Sequence, residues 1–372
     1  MSGRPPAQPG DPIAAIDTPA LVVDLAVFDA NIGAMAQAVA ARGLRLRPHA
    51  KAHKCPDIAV RQIAAGAIGI CCQKTDEAAV FAAAGVRDIL VTNEVVLPAK
   101  LARLAALARD ARIGVLCDNA GNVAALQHAA AAASVTLDVY VEVDVGARRC
   151  GVAPGAPAAA LAQAVAALPA LRFAGLHCYH GGAQHLRRPD QRRAAIESAA
   201  QDASESRTAC ERAGVSVSVV TGAGTGTWEH EALSGVWNEL QPGSYPFMDA
   251  DYARNIPEPG ALRFAHSLFV VASVMSVPAR ERAVCDAGLK AFSFDSGLPR
   301  VHARDGLEYE KASDEHGVLA VAPDAAPPAL GERVWLVPGH CDPTVNLYDW
   351  IVGVRNARVE CVWPVSARGA LG

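Results

Sequence analysis

The sequence has no C-x-x-C pair, no strong charge bias and no long uncharged apolar run, and each absence removes a class of protein. Its ten cysteines (Cys55, Cys71, Cys72, Cys117, Cys150, Cys178, Cys210, Cys285, Cys341 and Cys361) mostly sit in apolar runs, as buried free thiols do. That usage suits a reducing, cytoplasmic setting. Net charge is −4 with both signs interspersed, so there is no nucleic-acid footprint. No stretch reaches the roughly 20 apolar residues of a membrane-spanning helix. Residues 1–12 are rich in Pro, Gly and polar groups. They lack the apolar core of a signal peptide, so 1–14 reads as a flexible tail. There is no Walker lysine motif, and the glycine-rich loop described below lacks G-x-G-x-x-G spacing.

What is present is a chain of 372 residues, half of them hydrophobic, enough for a large barrel and a second domain. An apolar run at 20–25 reads as a strand, and 27–41 is apolar at helical spacing. Strand candidates then recur at 44–50, 67–73, 88–93, 112–118, 136–144, 172–179, 215–220 and 239–245. Ala-rich helical segments fill the gaps, one of them with Pro157 in its first turn, where the missing N–H costs nothing. Eight strand–helix repeats with short loops predict a closed (β/α)8 TIM-type barrel over 15–255. From 256 to 372 the pattern becomes strands with Pro/Gly turns, which predicts a C-terminal antiparallel β domain.

Chemistry in such barrels gathers at the C-terminal ends of the strands. Lys51 ends the first, followed by His53 and Lys54. Two readings stand: a basic surface turn, or a Schiff-base lysine whose pKa is lowered by neighbouring cations. Thr221-Gly222-Ala223-Gly224-Thr225-Gly226-Thr227 and Gly243-Ser244-Tyr245 end the last two strands. Glycine N–H groups and hydroxyls there can cradle a phosphate, and these are the loops that bind phosphate in many barrels. Paired with a lysine after strand one, they suggest pyridoxal phosphate (PLP). In the β domain, His340 and Asp342 are i and i+2, which share a side in an extended segment. One imidazole and one carboxylate suit Mn²⁺, Mg²⁺, Co²⁺ or Zn²⁺, although H-x-D alone is common by chance. His49, His53 and His180 read as structural hydrogen-bonders, and Asp118, Glu142 and Asp144 as solvated strand-end groups.

Pro48-His49-Ala50-Lys51-Ala52-His53-Lys54 resembles the cofactor-lysine motif of the D-threonine aldolase and D-serine dehydratase family. Cys71-Cys72-Gln73-Lys74, Thr92-Asn93-Glu94-Val95, residues 222–226, 241–249, 286–290 and 314–317, and His340-Cys341-Asp342-Pro343-Thr344 carry the same resemblance over nearly the whole chain. It implies an alanine racemase fold: a PLP-binding barrel plus a β domain, usually a homodimer. It implies Lys51 as the cofactor lysine and Gly224, Thr225, Gly243, Ser244, Tyr245 and Tyr179 around the phosphate. Gln73 and Arg149 would lie near the pyridoxal ring, and His340 and Asp342 would hold the metal. An aspartate at 342, where the dehydratase branch has cysteine, favours the aldolase branch. His185 matches a histidine assigned to the substrate hydroxyl. The implied reaction is metal-assisted retro-aldol cleavage of a D-3-hydroxy-amino acid, such as D-threonine or 3-hydroxy-D-aspartate, to glycine and an aldehyde. β-Elimination, racemisation and a non-catalytic PLP carrier are the alternatives.

Overall fold

A computed structural model describes residues 3–372. Strand β1 (Ala20–Asp24) runs directly into helix α1 (Leu25–Ala40). The Asp24 carboxylate accepts the N–H groups of Ala26 and Val27, satisfying two donors that a helix start leaves open. The repeats follow as β2 (Arg45–Leu46), α2 (Pro56–Ala64), β3 (Ile70–Cys72), α3 (Thr75–Ala83), β4 (Asp88–Glu94), α4 (Pro98–Leu107), β5 (Arg112–Cys117) and α5 (Ala120–Ala133). They continue as β6 (Leu137–Glu142), α6 (Ala156–Ala166), β7 (Leu171–Cys178), α7 (Pro189–Arg212), β8 (Val220–Gly222), α8 (Trp228–Leu233) and β9 (Glu239–Leu240). Helices α2, α4, α6 and α7 each carry proline in the first turn, where no hydrogen bond is lost.

Strands β2–β9 form one parallel sheet in the order β2-β9-β8-β7-β6-β5-β4-β3. A His49–Cys71 bridge joins its two edges, with Cys71 N–H donating to Pro48 O at 2.8 Å, and so closes the barrel. The interior holds an apolar plug of Cys71, Leu90, Leu116, Tyr140, Ala174 and Val219. At the N-terminal ends of the strands, buried Arg47 donates to Glu239 at 2.9 Å and to Asp88 at 2.5 Å.

The second sheet contains β10 (Leu268–Ala279), β11 (Arg282–Cys285), β12 (Arg300–His302), β13 (Leu307–Ala312), β14 (Gly317–Val321), β15 (Arg333–Val337), β16 (Trp350–Arg355) and β17 (Arg358–Pro364). A single-turn helix, α9 (Cys341–Val345), follows β15. β1 lies between β10 and β16, antiparallel to the first and parallel to the second. Residues 20–24 therefore belong to the β-domain sheet rather than to the barrel, and that sheet is antiparallel except for the β1–β16 pair. A short apolar run carries no mark of which sheet it joins. The valine–serine alternation at 215–219 is not strand; β8 begins only at Val220.

The expected flexible tail is docked. Met1 and Ser2 lie outside the described residues. Gly10 N–H donates to Val359 O at 2.8 Å, and Ala7 is buried with Ile16, Val22 and Val271. The Pro/Gly composition resembles a linker, but this segment covers the edge strand β17, meeting backbone groups that an edge leaves open. Among the described residues, no helix is long and apolar enough to cross a membrane.

Helix α1 joins the two domains. The Phe28 ring lies 5.9 Å from that of Phe247, beyond β9, and 6.0 Å from that of Trp363 in β17. A second buried element braces the loop between β8 and α8. Gln184 Nε2 donates to Thr227 Oγ1 and Thr227 Oγ1 donates to Glu231 Oε1, both at 2.7 Å. Burial pushes the Glu231 carboxyl up to about 7.

Phe28→Ala should cost about 3–5 kcal/mol through the cavity it leaves, read as a lower thermal midpoint. Glu231 keeps in the folded state a proton that the unfolded chain sheds near its ordinary value of 4.5. Stability should therefore fall by about 3 kcal/mol as pH rises from that value to about 7. Glu231→Gln should flatten that slope in denaturation curves taken between pH 5 and pH 8.

Candidate active site

Lys51 stands in a 3-10 turn, Ala50–Ala52, that continues from the first barrel strand. It opens into a cavity of about 210 Å³ at the C-terminal ends of the strands. Gln73, Arg149, Tyr179, His185, Gly224, Thr225, Gly243 and Ser244 line the same cavity. The sequence-derived set is thus brought together from β2, β3 and β6–β9 and the loops that follow them. Tyr245 is the exception. Its side chain is fully buried, accepts a hydrogen bond from Gln62 Nε2 at 3.1 Å and packs against Phe264. Only its backbone is available to the cavity.

The electrostatics around Lys51 differ from the sequence expectation. Lys54 is paired with Glu77 at 2.9 Å, and burial pushes the His53 imidazole down to about 4. Neither supplies a positive charge that would depress the Lys51 amine. Burial does act to lower it, but Lys51 Nζ donates to Asp342 Oδ2, and that carboxylate holds the amine above the ordinary lysine value. The same contact and His340 hold the Asp342 carboxyl well below the carboxylate range against the opposing effect of burial.

Two turns form an anion cradle. The N–H groups of Gly224, Thr225, Gly243 and Tyr245 find no acceptor among the described residues, while the N–H of Ser244 donates to Thr225 Oγ1 at 3.1 Å. Backbone donors away from water are normally paired, so four unpaired N–H groups in two adjacent turns fit an anion-binding concavity. The glycines are required by packing as well. A Cβ on Gly224 would lie 2.5 Å from Gln184 Oε1, and one on Gly226 would lie 2.6 Å from Gln184 O. Ala223 holds a left-handed φ of +74° to make the turn, a backbone cost that persists where the surroundings enforce it. With Lys51 across the cavity, the arrangement fits an aldehyde cofactor carrying a phosphate.

His340 and Asp342 are not two residues of one strand. His340 is extended, but Asp342 lies in the first turn of α9. The turn carries its carboxylate to Lys51 and to Ser244 Oγ, which donates at 3.4 Å. His340 Nδ1 is held by Asp295 Oδ2 at 2.7 Å. That leaves Nε2 free, the pattern by which carboxylates orient metal-binding histidines. This donor pair fits a divalent cation.

Several lining residues escape the sequence reading. His49, read as structural, faces the cavity and bonds Thr92 Oγ1 at 2.8 Å through Nε2. Glu142, read as a solvated group, is buried within 3.5 Å of Arg149 and 3.7 Å of His177. Those partners hold its carboxyl low although burial opposes it, while burial and Glu142 push Glu94 up. Gln241, from the 241–249 stretch, lines the cavity with His177 and Tyr252, and no motif spacing singles out the last two. Arg149 stacks over the Tyr179 ring at 5.7 Å.

Known proteins agree with this geometry. Residues 23–251 match the alanine racemase N-terminal domain, and residues 267–354 a putative serine dehydratase domain. A D-threonine aldolase of Arthrobacter sp is 51% identical over 365 residues, covering 98% of this chain and 96% of the relative. A 3-hydroxy-D-aspartate aldolase of Paracoccus denitrificans (strain Pd 1222) is 45% identical over 370 residues, covering 98% and 95%. The crystal structure of D-threonine aldolase from Filomicrobium marinum superposes with a TM-score of 0.97 at 49% identity, covering 99% of this chain and all of that one. With half of its residues identical to a D-threonine aldolase and its whole fold superposing on that of another, the chain belongs to the D-threonine aldolase family of PLP-dependent lyases on the alanine racemase fold.

Proposed function

We propose that this protein cleaves D-3-hydroxy-amino acids, D-threonine and its analogues, to glycine and an aldehyde. The observation that carries the reading is the meeting of Lys51 and Asp342 beside the anion cradle. Lys51 would hold PLP through its amine. The free N–H groups of Gly224, Thr225, Gly243 and Tyr245 would take its phosphate, with Tyr179 alongside. Gln73 and Arg149 would flank its ring. When bound, PLP supplies the electron sink for a carbanion on the substrate's α-carbon. His340 and Asp342 would hold a divalent cation, whose chemistry is to acidify the substrate's β-hydroxyl. Asp342 would then be shared between that cation and Lys51, loosening the amine. His185 lines the same cavity and would accept the hydroxyl proton. The hard carboxylate ligand supports Mn²⁺ among the candidate ions. The same reading includes a homodimer in the cytoplasm. 3-Hydroxy-D-aspartate is the alternative substrate, in keeping with the name of the Paracoccus relative.

Incubating the PLP- and Mn²⁺-loaded protein with D-threonine and, separately, with 3-hydroxy-D-aspartate should give glycine that disappears with EDTA. The ratio between the two identifies the preferred β-substituent. Keto acid and ammonia in place of glycine would move the chain to the β-eliminating branch. Lys51→Ala should abolish the absorbance of lysine-linked cofactor while leaving the fold intact by circular dichroism; persistence of that absorbance would refute the assignment of Lys51.

A further inference from the structure

His185 closes a 3-10 turn after β7 and is half exposed, with 48% of its side chain open. An exposed histidine normally moves among rotamers, and this one does not have that freedom. Its Nδ1 lies 2.5 Å from Asp251 Oδ2, and its ring stands 5.7 Å from that of Tyr252. We propose that Asp251 is the positioning residue of His185, binding the proton-bearing Nδ1 and leaving Nε2 as the basic nitrogen for the substrate hydroxyl. The inference rests on the aldolase reading for what that nitrogen does.

The two oxygens of Asp251 divide their work. Oδ1 accepts from Arg187 Nη2 and Arg254 Nη2, whereas Oδ2 is left to His185. Burial favours the neutral acid, but Arg187 and His185 outweigh it and keep Asp251 ionised. An ionised carboxylate only accepts, so the nitrogen facing it must carry hydrogen. In a neutral imidazole the lone pair is then on Nε2. The backbone of Asp251 is fixed as well. Its N–H donates to Gly339 O and that of Ala250 to Pro338 O, both at 3.0 Å. Asn255 Nδ2 donates to Gln184 O at 2.9 Å, and Arg187 Nη1 donates to Asn255 Oδ1 at 2.8 Å. The short segment 250–255 thus ties the base of the His340 motif to the turn that carries His185, and sets one in register with the other.

The test combines kinetics with a measurement that needs no turnover. In ¹⁵N-histidine-labelled holoenzyme, with His185 signals assigned by their loss in His185→Ala, Nδ1 should be protonated and Nε2 should not. Asp251→Asn should mix the tautomers. It should lower kcat by about a hundredfold or more with KM within about threefold, by analogy with aspartates that fix a catalytic tautomer. Added to His185→Ala, it should cause no further loss, since residues acting as a unit are not additive. Arg254→Gln, which removes an Oδ1 partner and a bond to Ser296 O but leaves the Oδ2 contact with His185, should keep at least about half of kcat. A protonated Nε2 in the wild type, an additive double variant, or an Arg254→Gln loss equal to that of Asp251→Asn would each overturn the proposal. Failure of the wild type to make glycine would count against the aldolase reading alone, because the tautomer measurement does not depend on substrate.

Discussion

The contact between Lys51 and Asp342 is where two domains become one site. A carboxylate taken out of water must find a partner, and a lone one would cost several kcal/mol. Here the partner is the lysine at the tip of the first barrel strand, so the closed arrangement of the domains is also the arrangement in which both charges are satisfied. Other ties act in the same direction. Asp249 Oδ2 accepts the N–H of Cys341 at 3.0 Å, the backbone of 250–251 is bonded to 338–339, and Phe28 packs between rings from both sides. Docking, rather than either domain alone, determines where Asp342 and His340 stand relative to the cavity.

The barrel separates stability from chemistry along its axis. Arg47, Asp88 and Glu239 form ion pairs at the N-terminal ends of the strands, the end opposite the Lys51 cavity. A line of bonds runs upward from them. Thr221 Oγ1 donates to Glu239 at 2.9 Å, Gln241 Nε2 donates to Thr221 at 2.6 Å, and His177 Nε2 meets Gln241 Oε1 at 3.2 Å. Each bond is worth only about 1 kcal/mol net. Together they link buried polar side chains between the ion pairs below and Glu142 and Arg149 above, with His177 Nδ1 3.7 Å from Glu142 Oε1.

Much of this was legible in the chain. Strand–helix alternation predicts the parallel barrel because apolar runs of strand length and Ala-rich helices alternate with short gaps. Lys51, Thr225, Gly243 and Ser244 are readable because strand ends in this architecture face one opening. Tyr245 reaches the site through its backbone and not its ring, since chain position near a turn does not say to which side a side chain points. The burial of Glu142 beside Arg149 and His177, and the facing of His49 to the cavity, depend on neighbours from other strands. Asp251 and Asp295, the partners of His185 and His340, lie 66 and 45 residues from the histidines they hold, and no local pattern marks them.

The barrel, the presence of a β domain, the lysine, the glycine-rich turns and the H-x-D motif follow from the order of residues, because each depends on local periodicity, backbone freedom or residue type. The tertiary structure alone decided the charge environment of Lys51, the turn that carries Asp342 to it, the placement of β1 in the second sheet and the docking of the N-terminal segment. Those are outcomes of packing between residues far apart in the chain. The same residue types in the same order are compatible with a lysine crowded by cations or one paired with a carboxylate. Only the relative positions of Glu77, Asp342 and the buried His53 choose between them.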